Sequence, residues 1–176
     1  MRSWPRFALL ALCVVLLLAS RSASALDFSV QTLDGKPLSS KDLQGKVVLL
    51  DFWGTWCPPC LSAVPSLREL SRDLKGEPFV LVSVAVEEDD GEVRKFVKKL
   101  QMDWPQVWDP NAAFARKSGV SRFPTYILMS HEGKVLNTVV GTSRGIEKSL
   151  RAQVEQAVQS AKSAKKAGPP AGDMTR

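Results

Sequence analysis

The chain has 176 residues, 44% of them hydrophobic and 24% charged, enough for one domain with a real core and too polar for a bundle of membrane spans. Its formal net charge of +6 does not mark a nucleic-acid binder, because the charge sits in the ends. Taking the seven basic residues and one acid of residues 1–25 and 162–176 from the totals of 24 and 18 leaves 17 of each sign between them, whereas a nucleic-acid surface needs positive charge clustered on the folded body.

Residues 1–25 read as a secretory signal. Arg2 and Arg6 form a basic head, Phe7 to Ala19 an apolar run of 13 residues, and Ala23-Ser24-Ala25 puts small residues at −3 and −1, which predicts cleavage before Leu26. A membrane span wants about 20 apolar residues; an uncleaved anchor is the alternative. Cys13 follows Leu12 inside the run, where a lipid-attachment cysteine would follow a small residue, so it is read as part of the removed segment. The mature chain then keeps two cysteines, Cys57 and Cys60. One close pair in an exported chain suits redox chemistry, and a disulfide-stapled mini-fold would need more bridges.

From Leu26 to Ser40 loosely alternating apolar residues flank Asp34-Gly35, a hairpin signal. Lys41 to Gly45 is a turn. Val47 to Phe52 is β-branched and almost continuously apolar, the pattern of a central strand covered on both faces. After Cys60, residues Val64, Leu67, Leu70 and Leu74 recur at helical spacing; Pro65 interrupts the stripe and predicts a kink. Phe79 to Val86 is a second buried strand, ending in the acidic run Glu87 to Asp90. Val93, Phe96, Val97 and Leu100 mark a helix, Trp104 to Trp108 a short extended piece, and Asn111 to Lys117 a helix opened by a turn. Tyr126 to Met129 and Val135 to Val140 are strands joined by a hairpin, and Ile146, Leu150, Val154 and Val158 mark the last helix. From residue 162 the composition predicts a disordered basic tail. The domain is thus placed at residues 26–161.

Two cysteines separated by two residues, where a strand hands over to a helix, form the arrangement a dithiol/disulfide exchanger needs. The helix start offers free backbone N–H groups and the positive end of the dipole, both of which favour thiolate. Cys57, at the start, should attack; Cys60, one turn in, should resolve the mixed disulfide. A purely structural bridge over so small a loop stabilises little. A zinc site would need further ligands, and His131 is the one histidine, in a hairpin turn, so neither metal nor cofactor is expected. Pro58 and Pro59 remove two N–H groups that could have bonded the thiolate. That predicts a Cys57 nearer thioredoxin (pKa about 7) than a strong oxidant such as DsbA (about 3.5), and hence a reductant.

These residues carry a resemblance. Phe52-Trp53-Gly54-Thr55-Trp56-Cys57-x-x-Cys60, Pro65, Phe123-Pro124-Thr125, the Glu132-Gly133-Lys134 turn and Gly141, in this order, resemble the thioredoxin-like superfamily, nearest the exported TlpA/ResA-type thiol–disulfide oxidoreductases. The resemblance implies an α/β thioredoxin fold, a central mixed β-sheet flanked by helices, here with an N-terminal β-hairpin extension. It implies a cis Pro124, with Phe123 beside it, facing the cysteines. Trp56, Pro58, Pro59, Phe123 and Pro124 would receive an extended partner peptide. Partners would be protein thiols and disulfides, cytochrome c or copper-site assembly proteins among them, with a membrane thiol donor upstream and a monomeric enzyme.

Asp51 is an acid in a core strand, six residues before Cys57, and buried carboxylates are costly unless used. In thioredoxin an acid at this position is thought to handle the proton of the second cysteine. TlpA/ResA-type proteins usually carry Glu three residues after that cysteine, where this chain has Ala63. Asp51 is therefore the candidate base for Cys60. Two other functions fit the scaffold. A peroxiredoxin-like thiol peroxidase wants Thr or Ser three residues before its cysteine, where Gly54 stands, and a non-catalytic partner-binding module would not need the cysteine pair.

Overall fold

A computed structural model describes residues 25–167. Residues 1–24, with Cys13 and nearly all of the expected secretory segment, and the tail beyond residue 167 lie outside the described residues. Strands β1 (Ser29–Gln31) and β2 (Pro37–Ser39) pair antiparallel as the expected hairpin, and Gly35 takes its turn with a left-handed φ of 81°.

The central sheet has the order β5-β4-β3-β6-β7, built from β3 (Val47–Trp53), β4 (Phe79–Ala85), β5 (Gln106–Trp108), β6 (Thr125–Met129) and β7 (Val135–Val140). β3 runs parallel to β4 and antiparallel to β6, so the mixed sheet changes direction at its centre. The parallel pair is bridged by helix α1 (Pro58–Asp73), and α2 (Asp90–Lys99) and α3 (Ala113–Lys117) flank β5 in sequence. Helix α4 (Arg144–Ala167) closes the chain. α1 runs unbroken through Pro65.

All seven residues of β3 are buried, as a strand covered on both faces requires. Val47, Leu49 and Trp53 join Cys60, Val64, Leu67 and Leu70 of α1 and Leu150 and Val154 of α4 in one cluster. Val48, Leu50 and Phe52 join Phe28 and Phe114 on the other side. Alternation along β3 therefore puts Asp51 on the face that α1 and α4 cover.

The sequence places the end of the domain at residue 161. α4 continues six residues further, carrying Lys162, Lys165 and Lys166. Ala161 is buried against the core, and Lys162 Nζ lies 3.0 Å from a Glu77 carboxylate oxygen. Alanine and lysine are strong helix formers, so a stretch without large hydrophobes still holds a last helical turn here.

Candidate active site

β3 delivers the chain to the cysteines. Gly54 to Trp56 turn out of the sheet, the Cys57 N–H donates to the Gly54 carbonyl, and Cys57 caps α1 in extended conformation. Pro58 and Pro59 fill the first two helical positions, where the missing N–H groups would have had no intrahelical acceptor. Cys57 and Cys60 are joined as a disulfide. The backbone N–H of Cys60 points at Cys57 Sγ, 3.3 Å away. Both cysteines are nearly inaccessible, 4% and 3% exposed. What distinguishes them is therefore their place on the helix: Cys57 at the cap, Cys60 inside the first turn facing the core.

Among the described residues Trp56 is the most exposed large hydrophobe at 56%, whereas Trp53 is fully buried packing. The Trp56 indole folds back over Gly54, where a Cβ would lie 2.7 Å from the ring. Its Nε1 donates to the Val86 carbonyl, and its ring meets Phe123 edge-on at 5.4 Å. The Phe123–Pro124 bond is cis, and the Pro124 carbonyl accepts from the N–H of Gly141. Trp56, Pro58 and Pro59 are exposed and Phe123 half-buried, packed against the cluster that holds the disulfide; Pro124 is buried. On the other flank Thr55 Oγ1 donates to the Glu87 carboxylate, and the exposed Trp108 indole donates to the Glu87 carbonyl.

Asp51 is 2% exposed. Ser83 Oγ donates to its carboxylate at 2.7 Å, and the buried Trp104 indole donates to Ser83 Oγ at 2.9 Å. Burial pushes the Asp51 carboxyl up from 3.8 to about 7, against the opposing pull of the Ser83 hydrogen bond. Ala63, three residues after Cys60, is buried and offers no polar atom. His131 stays in the hairpin turn, and among the described residues no cluster of metal-ligating side chains exists.

The Redoxin family profile matches residues 21–154. The thiol-disulfide oxidoreductase ResA of Bacillus thuringiensis subsp. konkukian is 34% identical over 127 residues, covering 71% of this chain and 73% of its own. This chain belongs to the TlpA/ResA-type thiol–disulfide oxidoreductases. Solved structures agree. A thioredoxin family thiol:disulfide interchange protein from Chlorobium tepidum superposes with a TM-score of 0.70 at 28% identity, covering 79% of this chain and 98% of that one. A secreted Mycobacterium tuberculosis disulfide oxidoreductase homologous to DsbE gives 0.64 at 26% identity, covering 73% and 95%.

Of the residues singled out in the sequence of this oxidoreductase, the cysteine pair, Asp51, Trp56, Phe123 and Pro124 gather at one end of β3 and β6. The sequence reading did not include the partners of Asp51, Ser83 and Trp104. Ser83 is a lone hydroxyl in the apolar strand Phe79–Ala85, the same signal that singled out Asp51 and readable in the same way. Trp104, 21 residues beyond Ser83, is brought to it only by the fold.

Proposed function

We propose that this oxidoreductase is exported and reduces protein disulfides, with Cys57 attacking, Cys60 resolving and Asp51 as the base for Cys60. The observation that carries the direction is the single backbone N–H, that of Cys60, on Cys57 Sγ. The two prolines leave the thiolate with fewer donors than a helix start usually supplies, and a less stabilised thiolate makes a stronger reductant. Equilibration with glutathione tests this: the Cys57–Cys60 pair should lie nearer −270 mV than −120 mV, roughly the thioredoxin and DsbA values. A potential near the latter overturns the direction.

Trp56, Pro58, Pro59, Phe123 and Pro124 form the docking rim for an extended partner segment. Gly54→Ala should slow partner reduction roughly tenfold with the potential unchanged, because the added Cβ displaces the Trp56 ring from Val86 and Phe123. An unchanged rate removes Trp56 from docking. The partners are extracytoplasmic proteins with reducible disulfides, apocytochromes c and copper-site assembly proteins being the classes to assay, and a membrane thiol transporter is the electron source. The enzyme works as a monomer. Export is supported by the basic head, apolar run and small-residue pair in residues 1–25 and by the secreted Mycobacterium relative. No helix among the described residues is long and apolar enough to cross a membrane. The mass of the extracytoplasmic protein should place its first residue at Leu26.

A further inference from the structure

The surplus positive charge of the sequence lies at its ends, yet part of the C-terminal share is folded into the body. α4 starts at the cysteine end of the sheet, where the Gly141 N–H just ahead of it donates to the Pro124 carbonyl. It ends at the opposite pole, where Lys162 meets Glu77 just before β4 begins at Phe79. Lys46 stands at the same pole, immediately before Val47 opens β3, and Val47 pairs with Phe79. β3 has seven residues, so at about 3.3 Å each this pole lies roughly 20 Å from the turn that leads to Cys57.

Lys46, Lys162, Lys165 and Lys166 line one recess there, of about 630 Å³, and Glu77 is the one acid in its wall. All four lysines are exposed. Glu77 is paired with Lys162; among the described residues Lys46, Lys165 and Lys166 form no ion pair. The dipole of α4 favours cations in its last turn, which accounts for Lys165 and Lys166. It does not account for Lys46, which comes from another element to the same recess. Four ammonium groups around one carboxylate make a site for phosphate. A single-stranded nucleic-acid site would add aromatic side chains for bases to stack on, but the exposed Trp56 and Trp108 bond to the carbonyls of Val86 and Glu87, past the other end of β4.

We propose that this recess binds the phosphate headgroups of anionic phospholipid and seats the exported domain on a membrane surface, with its cysteines turned away from the bilayer. The inference rests on the export reading and on none of the roles given to Cys57, Cys60 or Asp51. Each lysine near an anionic bilayer strengthens attachment about fivefold, and salt weakens it. Three unpaired lysines therefore give a reversible contact that orients the domain, weaker than an apolar anchor.

Sedimentation of the purified mature protein with vesicles of phosphatidylcholine, alone or mixed with phosphatidylglycerol, tests it. The protein should bind the mixed vesicles only, and come off as salt rises. Lys46→Ala/Lys165→Ala/Lys166→Ala should weaken that binding by about 100-fold and leave the reduction of a soluble disulfide peptide unchanged. Glu77→Gln, which removes the acid from the recess, should strengthen binding about fivefold. Lys95→Ala/Lys98→Ala/Lys99→Ala takes the same charge from exposed positions of α2, outside the recess, and should leave binding nearly unchanged. Equal losses from the two triple variants would mean that net charge governs, and overturn the recess. Equal binding to pure phosphatidylcholine would mark an apolar anchor and overturn it too. Inorganic phosphate that frees the protein where sodium chloride of the same ionic strength does not would give the recess to a free phosphate compound. Tighter binding to a DNA duplex than to mixed vesicles would give it to nucleic acid; either result overturns the proposal. Vesicle binding does not depend on export, so the two readings fail separately: a protein retained inside the cell that still seats on mixed vesicles loses export and keeps the recess.

Discussion

Cys60→Ser is expected to accumulate as a covalent adduct with its partner, visible on a non-reducing gel, while Cys57→Ser forms no adduct and loses exchange activity by about 10³-fold or more. Exposure cannot produce this asymmetry, since the two residues are equally inaccessible. The helix does. Cys57 occupies the cap, its sulfur directed at the Cys60 N–H and the free end of the helix dipole, where negative charge is stabilised. Cys60 sits among Val64, Leu67 and the face of β3 that carries Asp51, where a thiolate forms only when a base takes its proton. Without Cys60 the first bond to the partner still forms, and nothing nearby displaces it. Adduct from Cys57→Ser in place of Cys60→Ser would reverse both roles.

The parts of this architecture legible in the sequence are those set by local pattern. The run Val47 to Phe52 announced a strand covered on both faces because it has no polar alternation, and β3 is buried throughout. Asp51 stood out against that run. Gly141 was recognisable as part of a motif, but its hydrogen bond to the Pro124 carbonyl is a tertiary fact. What stayed hidden depends on residues far apart in the chain. The recess at the far pole joins Lys46 to Lys162, Lys165 and Lys166, from opposite ends of the domain. Helix α4 runs past 161, and there Lys162 meets Glu77, 85 residues before it in the chain. Composition alone reads that stretch as solvated tail.

Asp51→Asn should make the enzyme slower and, above neutral pH, more stable. The rate effect follows from losing the base: the resolving step should fall roughly 10- to 100-fold. The parent rate should rise with pH through about 7, where Asp51 becomes a carboxylate, and the variant should lack that inflection. Stability follows from the same burial. In the unfolded chain Asp51 ionises near 3.8, but in the fold it holds its proton to about 7. Between these values the unfolded chain binds fewer protons, so folding stability falls as pH rises, by roughly 4 kcal/mol in all, and levels off above pH 7. Asparagine does not titrate and escapes that loss. Its Oδ1 can still accept from Ser83, but its amide N–H groups must find partners in the core, at a cost of about 1–3 kcal/mol. Chemical denaturation at a series of pH values should therefore give two curves that cross. Near pH 4 the variant is the weaker fold, and at pH 8 it is the stronger by roughly 1–3 kcal/mol. Parallel curves would mean that Asp51 is already ionised in the folded protein at pH 5. It would then be charged before Cys60 needs a base, and the match between its titration and the working pH, which suits a general base poised near 7, would be lost.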